Sequence, residues 1–91
     1  MKHYAAILRM KDQDKSRDLR PQHLEFLAER ESEGKIFARG RFPDGSGGLV
    51  IYVADSFEEA RAIAEQDPYI TSGARALDLH EWDMTSRGTH P

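Results

Sequence analysis

The sequence predicts a single α+β domain of β-α-β-β-α-β order. Three observations carry that expectation: 91 residues with no low-complexity insert, four stretches of alternating apolar residues, and two stretches where apolar residues recur every three or four positions. A chain this short buries only roughly 60–65% of the surface it exposes when unfolded, so support from a partner subunit is worth looking for.

The first strand is expected from His3 to Met10, where Tyr4, Ala6 and Leu8 alternate with Ala5 and Ile7. The polar run KDQDKSRD then breaks the pattern. The first helix is expected over residues 19–33, with Leu24, Leu27 and Ala28 as its apolar stripe. Asp18 is placed to cap its start, Pro21 falls in the first turn where a missing N–H costs little, and Gly34 supplies the stop. Two strands, 35–42 and 48–54, flank PDGSGG, whose proline and glycines suit a chain reversal. Ser56 and Glu59 form an S-x-x-E capping box, after which Phe57, Ala60, Ile63 and Ala64 recur at helical spacing up to Gln66. Pro68 disfavours helical geometry at Asp67 and ends that helix. A last strand is expected from Ala74 to Asp83. The domain therefore spans residues 1–84, followed by a polar tail over 85–91.

This is the element order of ferredoxin-like folds, in which both helices cover one face of a four-stranded antiparallel sheet. In the third strand Leu49, Ile51 and Val53 point one way and Val50, Tyr52 and Ala54 the other, so both sheet faces call for burial. A sheet-to-sheet homodimer would cover the bare face.

Composition excludes several kinds of chemistry. With no cysteine there are no disulfides, no thiolate nucleophile and no Cys-rich zinc site. The net charge of −3 is mild and the basic residues are interspersed with acidic ones, which leaves no electrostatic footprint for nucleic acid. The start MKHYAAILRMKD is too short in apolar character for a signal peptide. No run reaches the roughly 18 apolar residues that would cross a membrane, so a cytoplasmic protein with no membrane partner is expected. His3, His80 and His90 do not form metal-ligand spacing with His23, so no metal site is expected. The GSGG segment joins two strands and reads as a turn, not a phosphate cradle. Tyr4, Tyr52 and Trp82 read as core or interface aromatics, since no basic stripe accompanies them.

His23 stands about one turn before Leu27, at the edge of the first helix's stripe. It can serve as a general acid or base, or as a partly buried histidine with one structural hydrogen bond. Asp67, before Pro68, can cap a short turn through Tyr69 and Ile70, or point into a cleft. Because the two helices lie side by side in this topology, a carboxylate at Asp67 could orient the His23 imidazole and raise its basicity. Arg20, one turn before His23, could clamp an anionic substrate or be a solvated surface charge. Arg39 and Arg41 alternate with Ala38 and Gly40, which puts both cations on one strand face with Phe37. Their simplest role there is the solvent side of an edge strand.

Arg20-Pro21-Gln22-His23-Leu24, the Gly34 and Gly40 flanking the second strand, S-x-E-E-A in the second helix, and Asp67-Pro68-Tyr69 followed by Gly73 together resemble the YCII-related (YciI-like) family, from Tyr4 to Trp82. The resemblance implies a dimeric α+β barrel of ferredoxin-like protomers, with an active site built on a His-Asp pair that maps to His23 and Asp67. Arg20 and Tyr69 are then the substrate-binding candidates. Within that family type one activity removes chloride from a hydroxylated aromatic ring, and muconolactone isomerases share the general architecture. The chain departs from the family pattern at Gly40-Arg41-Phe42, where a Gly-Pro pair is more usual.

Two functions are thus in view. The first is a cofactor-free enzyme acting on a small cyclic or aromatic acid or phenol by His-Asp proton transfer, with elimination, dehydrochlorination or isomerisation. The second is a non-catalytic small-ligand-binding or assembly module of a dimeric α+β barrel. Hydrogen-bond contact between His23 and Asp67 beside an open pocket favours the first; separated side chains, or a pocket filled by Trp82 or Tyr4, favour the second.

Overall fold

The computed structural model describes residues 1–85; the polar tail expected at the C-terminus lies, from Ser86 on, outside the described residues. In chain order the elements are β1 (Lys2–Met10), α1 (Gln13–Asp18), α2 (Arg20–Ser32), β2 (Ile36–Arg41), β3 (Gly47–Ala54), α3 (Phe57–Ala64), α4 (Pro68–Thr71) and β4 (Arg75–Trp82). The four strands form one antiparallel sheet in the order β2-β3-β1-β4, so the first strand lies inside the sheet between β3 and β4. This is the ferredoxin-like α+β architecture expected from the sequence.

Strand alternation sorts the residues onto two faces. Tyr4, Ala6 and Leu8 of β1 stand opposite Tyr52, Val50 and Gly48 of β3 and form the floor on which the helices pack. All six of these residues are buried. Removing a side chain such as Leu8 or Val50 from water contributes about 1.5–3 kcal/mol, so this face is the main source of stability. Helix α3 begins at Ser56, whose hydroxyl accepts from the Glu59 amide at 3.1 Å, as the capping box predicts. Its buried residues Ala60, Ile63 and Ala64 complete the core.

Three local expectations are corrected. The polar run after β1 is itself a helix, α1, capped by Asp12 through the Lys15 amide at 3.0 Å. Only Ser16 of α1 is buried, so it carries no apolar stripe to reveal it. Asp18 closes α1 and does not cap α2, whose N-cap position is Leu19 without a side-chain hydrogen bond. The buried face of α2 is His23, Phe26 and Leu27, whereas Leu24 is 36% exposed and Ala28 is exposed. His23 therefore lies within the buried stripe and not at its edge.

The turn between β2 and β3 brings two backbones together. Gly47 has φ +141°, and a Cβ there would come 2.0 Å from the Leu8 carbonyl oxygen, so no other residue fits. Across the sheet from the helices lies an open face that includes Ala5, Ile7, Leu49, Ile51 and Val53. Among the described residues no helix is long and apolar enough to cross a membrane.

Candidate functional site

The site begins with a proline. Pro68 holds Asp67 in extended geometry at φ −60°, ψ 128°, and starts the short helix α4. From that position the Asp67 carboxylate turns back on its own chain and Oδ1 accepts the Tyr69 amide at 2.9 Å. The same oxygen lies 2.8 Å from His23 Nδ1. Asp67 is thus both the cap of α4 and the partner of His23, and the two readings of its role are compatible. Asp67 is fully buried and His23 is 7% exposed, so the pair is shielded from water.

A carboxylate only accepts, so the proton of the His23–Asp67 bond belongs to Nδ1. Nε2 is left with its lone pair, on a ring that lines a cavity. The Tyr69 ring stacks on the imidazole at 3.8 Å and 14°, and the Arg75 guanidinium carbon lies 4.3 Å from the centre of the same Tyr69 ring. Held by a hydrogen bond at one nitrogen and by a flat aromatic contact, the imidazole has little rotational freedom. Tyr69 lines the cavity but is only 2% exposed, so its ring chiefly supports His23.

Two polar atoms near this pair have no hydrogen-bond partner: Asp67 Oδ2 and the Tyr52 hydroxyl, both buried. Burial, with the nearby Asp67 charge as the second cause, pushes the Tyr52 phenol above its ordinary range. Tyr52 therefore stays neutral beside the carboxylate.

The cavity beside His23 has a volume of about 110 Å³. Leu8, Leu24, Leu27 and Val50 give it apolar walls, and Arg20 lines it too. Tyr4 and Trp82 do not line it, so it is not plugged by either aromatic. Among the described residues no group of three His, Cys, Asp or Glu side chains is placed to hold a metal ion.

The structure corrects one point about Arg39 and Arg41: they do not share a strand face with Phe37. Ile36 pairs with Tyr52 but Ala38 pairs with Ile51, so the ladder carries a bulge at Phe37. The extra residue reverses the alternation. Phe37 goes to the open face, edge-to-face on His3 at 5.1 Å, while Arg39 and Arg41 stand opposite Val50 and Gly48 on the helix-covered face. Both stay exposed on β2, which is an edge strand as expected, and from the helix-covered face they also line the cavity. Arg39 is held by two bonds to Glu31, at 3.0 and 3.2 Å, and this contact lowers the Glu31 carboxyl below its usual range. Arg75 was also missed; its alternation with Leu77 and Leu79 on β4 was the available signal that it faces the helices.

The model of the YCII-related domain family matches residues 1–83. An uncharacterised protein of Bacillus subtilis (strain 168), YjpA, is 39% identical over 62 residues, covering 68% of this chain and 73% of that one. Among solved structures, the 5-chloro-2-hydroxyhydroquinone dehydrochlorinase TftG of Burkholderia phenoliruptrix AC1100, in complex with 2,5-dihydroxybenzoquinone, matches with a TM-score of 0.75. At 20% identity over 91% of this chain and 95% of that chain, this is a likeness of fold.

Proposed function

The chain belongs to the YCII-related domain family, and from that premise we propose that it is an acid–base enzyme acting on a small cyclic or aromatic acid or phenol. The observation that carries the reading is the 2.8 Å contact between His23 Nδ1 and a fully buried carboxylate, beside a cavity that the imidazole lines.

In this reading His23 Nε2 takes a proton from the substrate. Asp67 fixes the ring and stabilises the imidazolium that forms. The electron pair released on the substrate either expels a leaving group such as chloride, or shifts along the ring while the imidazolium returns its proton at another carbon. Elimination and isomerisation thus differ only in where the pair goes. Arg20 binds an acidic group of the substrate, and the stacked Tyr69 keeps the imidazole aimed. TftG, named for acting on a chlorinated hydroxyhydroquinone, makes that compound class the first to screen.

Replacing His23 by Gln should lower turnover on the order of 10²–10⁴-fold with the fold retained. Turnover equal to the parent would overturn the assignment.

The open sheet face is the surface for a homodimer in this reading, because Phe37 and Trp82 remain 52% and 43% exposed in one chain. Sedimentation equilibrium should give twice the chain mass, and a monomer at micromolar concentration would contradict it.

A further inference from the structure

Although the chain carries a net charge of −3, four arginines, Arg20, Arg39, Arg41 and Arg75, line the His23 cavity, and no carboxylate residue lines it. Glu31 neutralises Arg39. Among the described residues, Arg20, Arg41 and Arg75 make no ion pair with a carboxylate. Cations that converge on a concave site without counterions repel one another and raise the local positive potential. An anion that enters the site relieves both effects.

Arg41 and Arg75 come together because of Gly48. Arg41 pairs with Gly48 across the β2–β3 ladder. A Cβ at Gly48 would lie 2.9 Å from the Gly40 carbonyl oxygen, 3.6 Å from Arg41 Cα and 3.7 Å from Arg75 Nη1. Gly48 is thus a bare floor that Arg75 reaches over from β4 while Arg41 borders it from β2. The Phe37 bulge is what turns Arg41 toward this floor.

We infer that Arg41 and Arg75 form a second anion subsite over Gly48, so that the ligand of this cavity is a compact dianion, a single ring bearing two acidic groups. One group meets Arg20 and the other meets the Arg41–Arg75 subsite. The cavity of about 110 Å³ is smaller than the roughly 150 Å³ cavity known to take up benzene, so it has no room for more than one ring. The inference rests on the role given to Arg20 in the proposed function, but it concerns binding and not proton transfer.

Calorimetric titration of the full chain with benzoate and with phthalate, isophthalate and terephthalate, at one ionic strength, tests it. At least one dicarboxylate should bind about tenfold or more tighter than benzoate, the gain expected for one added charge-assisted guanidinium–carboxylate contact. Arg41→Leu, at an exposed position that the fold does not need, should abolish most of that preference, weakening dicarboxylate binding far more than benzoate binding. Arg75→Lys keeps the charge but loses the fork, and should give an intermediate preference. No preference in the parent, no binding of any of the four compounds, or a preference untouched in both variants would overturn the subsite. His23→Gln should retain the dianion preference. Undiminished turnover in that variant would sink the proton-transfer reading alone, and lost preference in Arg41→Leu with turnover still dependent on His23 would support both.

Discussion

The two ends of the helix-covered sheet face are made by the same strands and have opposite character. At one end Tyr4, Tyr52 and Ala54 meet Ala60 and Ala64 of α3, and all five are fully buried. Phe57 closes this end, edge-to-face on Tyr4 at 6.2 Å. At the other end Leu8, Gly48 and Val50 meet Arg20 and His23 of α2, with Arg41 and Arg75 at the sides, and a cavity remains. Alanines let a helix settle onto the sheet and seal it. Guanidinium groups cannot be sealed in without partners, so the end that carries them stays open to whatever completes them. Stability and chemistry are thereby assigned to different ends of one surface.

Mutations at the two ends should separate accordingly. The largest loss of stability is expected for Tyr4→Ala at the sealed end, about 3–5 kcal/mol in urea denaturation, since a fully buried aromatic leaves a void that packed neighbours cannot fill. A loss under about 1 kcal/mol would mean that this end is not close-packed. Asp67→Ala should cost less, about 1–3 kcal/mol, although it removes the α4 cap and leaves His23 Nδ1 without its acceptor. Burying a carboxylate is itself costly, and its removal returns part of that cost. The same variant should lower turnover far more than Tyr4→Ala does under conditions where both are folded. Equal activity losses would erase the distinction between the two ends.

The sealed end was legible in the sequence because it is built from period-two and period-3.6 patterns: Tyr4, Ala6 and Leu8 on one side, and Ala60, Ile63 and Ala64 on the other. Asp67 was legible through its proline, whose steric demand on the preceding residue acts locally. The open end was read less well, and each lapse has a local cause. Counting Leu24 as a core residue turned α2 by one position and moved His23 from the buried stripe to its edge. The α1 helix rests on a single buried residue, Ser16, so its polar sequence looked like a loop. The bulge at Phe37 has no signature in residue type, yet it reverses the strand's alternation after it, and so Arg39 and Arg41 fall on the opposite face from Phe37 and not on the same one. That Gly48 lies beside both Arg41 and the Arg75 guanidinium follows only once the register is known.

The arrangement of the His23–Asp67 pair is the point on which the functional account turns, and nitrogen-15 NMR of the imidazole reads it directly. At a pH where the ring is neutral, His23 should show a protonated Nδ1 and a pyridine-like Nε2, and Asp67→Asn should weaken that preference. A neutral His23 protonated at Nε2 in the parent protein would contradict the account, because no lone pair would then face the cavity.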